Sequence, residues 1–331
     1  MRMTTLTTMK LLAGALAAGL SLASAGAVAQ AAYPTQAIKF IVPYAAGGSS
    51  DTRSRQLAQK LSDSLGVPVV VDNKPGASGN IGTGQIATAK PDGYTIGLGN
   101  FAPLAVNKAL YSMPFDPARD LAPIALIERG PMALGVNDKS PYADPAALIE
   151  DAKRNPEKLN YASTGAGSAS HLSTELFKEQ AGMNATHVPY RGGAPAVNDL
   201  IAGNVDFYIE LPSLFLPHAT GTAPRIKMLA VAADKRVPGL PNVPTFKELG
   251  LAQMVVSNWF GVIAPAGTPP EVIKTLNEHI NRALQDKPYR DIVESQGGQV
   301  AGGTPEEFGA FIAGESERWT QLIRQKQIKV Q

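Results

Sequence analysis

Four loops rich in glycine and serine stand where helices are expected to begin: Gly47 to Asp51, Gly76-Ala77-Ser78-Gly79-Asn80, Ser163-Thr164-Gly165-Ala166-Gly167-Ser168, and Arg191-Gly192-Gly193-Ala194. The first N–H groups of a helix have no partner inside it, and the macrodipole adds partial positive charge, so such starts suit an anion. Glycine lets that anion approach the backbone closely. Each start contributes about 0.3 to 1 kcal/mol at an exposed position. Several converging starts would therefore hold a carboxylate without a dense cluster of lysine and arginine. Nucleotide chemistry is not indicated: no Gly-x-x-x-x-Gly-Lys-Ser/Thr occurs, and Gly165-x-Gly167-x-x-Ser170 lacks the third glycine of a dinucleotide loop.

Hydrolase chemistry is the enzymatic alternative, because Ser168 and Ser170 lie close to His171. No Gly-x-Ser-x-Gly elbow is present, and neighbours along one helix seldom meet with triad geometry. The four histidines, His171, His187, His218 and His279, show no metal-ligand spacing. With no cysteine in the chain, disulfides, thiolate metal sites and a cysteine nucleophile are excluded. No metal or other cofactor is expected.

The elements that must position these loops are legible in the periodicity. The chain has 331 residues, 44% hydrophobic and 18% charged, enough for about two globular domains. Arg2 and Lys10 precede an uncharged, Ala-, Leu- and Gly-rich run from Leu11 to Val28, followed by small-residue sites at Ala27-Val28-Ala29 and Ala29-Gln30-Ala31. Residues 1–31 are therefore expected to be a secretory signal peptide, in preference to a membrane anchor. Removing Arg2 and Lys10 from 30 basic residues leaves as many bases as the 28 acids, a formally neutral mature chain. No basic cluster interleaved with aromatics occurs, so no nucleic-acid partner is expected. No second run reaches spanning length, and a soluble protein outside the cytoplasm is expected.

From Gln36 onward, β-type runs alternate with helical patterns, as in α/β domains built on mostly parallel sheets. Strands are predicted at Ile38 to Val42, Val67 to Val71, Thr95 to Leu98, Leu159 to Ala162, Ala185 to Val188 and Val205 to Ile209. Between them, Leu57, Leu61 and Leu65 mark a helix ended by Gly66, Ile81 to Ala89 a second, and Asp144-Pro145 opens a third through Arg154. Thr268-Pro269-Pro270-Glu271 and Thr304-Pro305-Glu306-Glu307 read as capping-box starts. One segment recurs: Val42-Pro43-Tyr44-Ala45-Ala46-Gly47-Gly48 returns as Val188-Pro189-Tyr190-Arg191-Gly192-Gly193, each copy between a predicted strand and a predicted helix. Two such halves imply two lobes facing a common cleft.

Taken in order, Ile41-Val42-Pro43-Tyr44, Asn73-Lys74-Pro75-Gly76-Ala77-Ser78-Gly79-Asn80-Ile81-Gly82, Pro91-Asp92-Gly93-Tyr94-Thr95, Ser163-Thr164-Gly165, His171-Leu172, Val188-Pro189-Tyr190-Arg191-Gly192, Leu240-Pro241-Asn242-Val243-Pro244 and Trp259-Phe260-Gly261 resemble the Bug family. These are the solute-binding receptors of tripartite tricarboxylate transporters. The resemblance covers essentially the whole mature chain. It implies a type II periplasmic binding-protein fold, α/β, with two lobes joined by two crossovers around a central ligand cleft. Residues 32–134 plus 257–331 would form lobe 1 and residues 135–256 lobe 2. It also implies a periplasmic, non-catalytic monomer that binds a small carboxylate and delivers it to a membrane permease. A sensory receptor for a carboxylate would have the same features.

The ligand shell expected on this basis comprises Tyr44, Ser49, Asp51, Ala77, Ser78 and Asn80 from one lobe. Thr164, Ser168, Ala169, Tyr190 and Arg191 would face them from the other, with Arg191 as the obvious cation and its pairing with an acidic neighbour as the alternative. Two positions depart from the family pattern. Glu210 stands where the family usually has aspartate, and its longer carboxylate would reach an amine or hydroxyl of the ligand, with a solvated or differently paired carboxylate as the alternative. Phe101 follows strand Thr95 to Leu98, where small polar residues are usual, and is assigned to an apolar pocket wall, with a place in the core as the alternative.

Overall fold

The computed structural model describes residues 33–156 and 158–326, so the expected signal peptide, residues 1–31, lies outside the described residues. The fold is that of the unit from Gln36 onward. Strand β1, Ile38–Val42, buries every side chain except Lys39. It lies between two parallel partners, β2 (Val69–Asn73) and β3 (Thr95–Asn100). The helix between β1 and β2, Ser49–Leu65, buries Leu57, Ala58 and Leu61, and Gly66 ends it in the left-handed region at φ 72°.

The long strand β4, Leu121–Pro131, runs into β5, Ala133–Asn137, which belongs to a second sheet. There follow β6 (Asn160–Ser163), β7 (Thr186–Pro189), β8 (Phe207–Glu210) and β9 (Ile226–Val231). The chain then returns through β10 (Ser257–Pro265) and β11 (Gln299–Val300) to the first sheet. The sheet orders are β11-β4-β10-β3-β1-β2 and β7-β6-β8-β5-β9. Among the strand pairs of the described residues, only those within β1, β2, β3 and within β6, β7, β8 are parallel. The sheets are therefore mixed rather than mostly parallel. The reason lies in the two crossovers: β10 arrives from the other sheet and pairs antiparallel with β3 and β4, as β5 does with β8 and β9.

The crossovers are bonded to one another. Met132 N–H donates to Val256 O at 3.1 Å, Ala232 N–H to Met132 O at 2.7 Å, and Val256 N–H to Ala232 O at 3.2 Å. Few residues connect the two sheets here, which is the arrangement of a hinge. The box at Thr304 forms, with Thr304 N–H donating to Glu307 Oε2 at 2.8 Å and Glu307 N–H to Thr304 Oγ1 at 3.2 Å. The one at Thr268 does not. Its hydroxyl donates to Pro265 O at 2.8 Å, and the helix Pro270–Gln285 starts from Pro269 without a side-chain cap. Among the described residues no helix is long and apolar enough to cross a membrane.

Candidate functional site

The two copies of the repeated segment meet. Each follows the carboxyl end of a parallel strand, β1 or β7, where ligands of open α/β sheets bind. Ala45 N–H donates to Arg191 O at 3.2 Å, and a Cβ on Gly48 would stand 3.3 Å from Gly193 N. At Gly192, φ 156°, a Cβ would come within 2.9 Å of Ala45 N, so only glycine lets the backbones approach this closely. Gly48 and Gly192 head the helices Ser49–Leu65 and Gly193–Ala202, and neither start is capped by a side chain. Their free N–H groups lie at the seam between the lobes.

Beside this pinch lies a cavity of about 250 Å³, lined by Tyr44, Ala77, Ser78 and Tyr111 from the first lobe and by Thr164, Ala166, Tyr190 and Arg191 from the second. Arg191 is exposed, and no acidic side chain pairs with it among the described residues. Tyr44 and Thr164 also line a small recess of about 20 Å³, with Ser49, Asn100, Glu210 and Asn258. Its polar groups are linked in series. Tyr44 OH donates to Asn100 Oδ1 at 2.6 Å, and Asn100 Nδ2 to Asn258 Oδ1 at 3.0 Å and Trp259 O at 2.7 Å.

Glu210 is buried in this recess, accepting from Tyr208 OH at 2.9 Å and Leu211 N–H at 2.9 Å. Burial raises its pKa, opposed by the hydrogen bonds from Leu211, Tyr208 and Asn258. Burial and the Glu210 charge likewise push the Tyr44 phenol far above its usual value, which fixes it as a donor.

Several expected ligand residues support the walls instead. Asp51 accepts from Gly47 N–H at 2.9 Å and Asn73 Nδ2 at 2.9 Å. Against the effect of burial, hydrogen bonds from Arg55, Gly47 and Asn73 hold its carboxyl below the usual range. It shapes the first loop and is not among the cavity-lining residues. Asn80 Oδ1 accepts from Asn107 Nδ2 at 2.7 Å, inside its own lobe. Ser168 caps its own helix, Ala169–Ala181, accepting from His171 N–H at 3.2 Å, so one donor of the third helix start is already taken by the protein itself. Ala169 is buried in the first turn of that helix.

Phe101 is corrected outright. It is fully buried, edge-on to Trp319 at 4.9 Å and Trp259 at 6.4 Å, and lines neither cavity. Asn100 takes the place facing the recess, and the helical turn Ala102–Val106 that follows carries Phe101 beneath the helix Pro305–Lys326.

Behind the second lobe's wall sits a ring stack of buried His171 on half-buried His187. His171 Nδ1 accepts from Gly167 N–H at 3.0 Å, and His187 Nε2 meets Ser163 Oγ at 2.5 Å, with the two imidazoles 4.3 Å apart. Burial lowers both to a pKa of about 4. Neither Ser168 nor Ser170 bonds the His171 ring, and Ser163 is fully buried and lines neither cavity, so among the described residues no serine–histidine pair faces the cleft. Among the described residues no group of three or more His, Asp or Glu could hold a metal.

Sequence reasoning missed four contributors: Asn100, Asn258, Tyr111 and the buried pair Arg53–Glu128. The last ties the helix Ser49–Leu65 to β4, with Arg53 NH2 also donating to Gln296 Oε1 at 3.0 Å. None carries a local signal, except that Arg53 occupies a buried face of its helix at helical spacing from Leu57.

Comparison with known proteins agrees with this geometry. The sequence profile of the tripartite tricarboxylate transporter family receptor matches residues 54–328. The protein BugT of Bordetella pertussis is 40% identical over 317 residues, covering 94% of this chain and 97% of BugT. The solved periplasmic binding protein BugD is 35% identical with a TM-score of 0.84, covering 90% of this chain and all (100%) of that one. An R. palustris protein solved with adipate is 35% identical with a TM-score of 0.85, covering 90% and 99%. The chain therefore belongs to the tripartite tricarboxylate transporter family of receptors, binding proteins rather than enzymes, and has the two-lobed fold of periplasmic binding proteins such as BugD.

Proposed function

We propose that the mature chain is a periplasmic receptor that closes on a small organic carboxylate and hands it, as a monomer, to the membrane permease of a tripartite transporter. Lobe 1 is residues 32–134 plus 257–331 and lobe 2 is residues 135–256. The observation that carries this reading is the convergence of two uncapped, glycine-headed helix starts, one from each lobe, on a seam whose wall also holds Arg191. In a partly buried seam each start is worth up to about 2 kcal/mol to an anion, and the guanidinium adds a bidentate partner. The cavity, about 250 Å³, is below the range for drug-sized ligands and suits a metabolite of a few carbons. The relative solved with adipate supports the same class.

Tyr44, Ala77, Ser78, Thr164, Tyr190 and Arg191 form the proposed ligand shell. Ser49 and Glu210 face it from the recess, where Glu210 receives an amine or hydroxyl of the solute. The test is a thermal-shift screen of the mature protein against mono-, di- and tricarboxylates, amino acids and aromatic acids, each compound being recovered afterwards. A bound compound at a hundred times its Kd adds about 2.7 kcal/mol of stability. Recovery unchanged is the expected result, and Glu210→Gln should weaken an aminated or hydroxylated solute most. A compound consumed, or no shift across the panel in protein freed of carried-over solute, contradicts the reading.

A further inference from the structure

The second lobe's turn Gly165-Ala166-Gly167 reaches across the cleft. Its central carbonyl, Ala166 O, accepts two hydroxyl donors from the first lobe, Ser78 Oγ and, at 2.8 Å, Tyr111 OH. Both glycines have positive φ, 120° and 80°. A Cβ on Gly165 would stand 2.6 Å from Ser78 Oγ, and one on Gly167 2.9 Å from Asn107 Oδ1 and 3.0 Å from Leu110 Cδ1. The turn is thus a knuckle seated in a socket made by Ser78, Asn107, Leu110 and Tyr111.

The socket is held against the preference of its own backbone. Ala77 and Ser78 lie at φ 47° and 51°, a region that L residues other than Asn and Asp seldom occupy. Asn107 Nδ2 donates to Ser78 O at 3.3 Å and to Asn80 Oδ1 at 2.7 Å, which fixes the loop there. What the strained conformation achieves is the presentation of Ser78 Oγ to the other lobe. Burial raises the Tyr111 phenol pKa, against a lowering hydrogen bond from Ser78, so the second hydroxyl stays a donor.

We infer that Tyr111 is a positioning residue of this site. Acting through Ala166, it and Ser78 latch the knuckle in the socket and hold the lobes closed over the cavity. The inference rests on the cleft being the solute site, and it adds a closing contribution made by the protein itself.

The cysteine-free chain allows a direct test. Cysteines introduced at exposed Lys90 and Lys153, one on each lobe, carry spin labels for distance measurement by double electron–electron resonance. The protein is stripped of solute by unfolding and refolding, and none is added. The labelled protein should show a closed component, and Tyr111→Phe should lower its closed-to-open ratio by about fivefold, the worth of one net hydrogen bond. Ser78→Ala should act in the same direction. A Tyr111 that only supports its own lobe would lower the melting temperature and leave the ratio unchanged. That result, or a parent protein with no closed component, overturns the inference. Because no solute is present, the outcome is separate from whether any carboxylate binds.

Discussion

Acidification should destabilise the second lobe through His171, and the size of the effect follows from its surroundings. A backbone N–H can only donate, so the bond from Gly167 N–H at 3.0 Å requires an unprotonated Nδ1 and a neutral ring. Burial, with a smaller contribution from Lys178 and opposed by Glu175, lowers the pKa to about 4. In the unfolded chain the same ring titrates near about 6.5. Between these values the unfolded state takes up a proton that the folded state refuses, so stability falls with pH. The contribution is complete above about pH 6.5 and is lost progressively as pH drops towards 4. At about 1.4 kcal/mol for each tenfold change in proton activity, the window is worth about 3 kcal/mol for His171. His187, lowered to about 4 by burial and by the neighbouring His171, titrates in the same direction.

The assay is urea unfolding at intervals from about pH 7 to about pH 4.5, comparing the parent protein with His171→Gln. The variant starts less stable, because Gly167 N–H loses its acceptor, but its stability should decline less steeply with pH, the remaining histidine contribution coming from His187, His218 and His279, all lowered chiefly by burial. Parallel declines in the two proteins, or an NMR titration that finds His171 near its unperturbed value, would refute the reasoning.

Two further substitutions separate wall from core. Gly165→Ala places a Cβ 2.6 Å from Ser78 Oγ at a residue with φ 120°, so it should cost about 1 to 2 kcal/mol of stability from the backbone and, separately, weaken closure on the solute. Calorimetry and thermal unfolding read the two effects separately; a variant with the parent's affinity and melting temperature would show that neither the Ser78 contact nor the φ angle carries a cost. Phe101→Ala should lose about 3 to 5 kcal/mol of stability in urea unfolding, since it empties a fully buried ring site against Trp259 and Trp319, while affinity in the folded protein holds. Weakened affinity with unchanged stability would return Phe101 to the pocket.

The chain's local chemistry determined a good deal of this protein. The apolar run Ile38 to Val42 makes a buried strand, Gly66 stops a helix, Asp144 caps Pro145–Arg154 by accepting from Ala147 N–H, and Thr304 with Glu307 closes a capping box. Each depends on residues within a turn or two of one another, and sequence spacing is the physical variable. The repeated Val-Pro-Tyr segment pointed to paired lobes for the same reason: one strand-loop-helix edge was written twice. Tertiary structure alone decided which groups meet. It brought Tyr44, Asn100 and Asn258 into one chain of hydrogen bonds, set Arg53 against Glu128, and placed Tyr111 on Ala166. It also made Ser168 and Asp51 partners of their own loops and gave Phe101 to the core. A hydroxyl or carboxylate has no intrinsic preference between capping its own backbone and facing a ligand. That choice follows from which chain, many residues away in sequence, folding brings within about 3 Å.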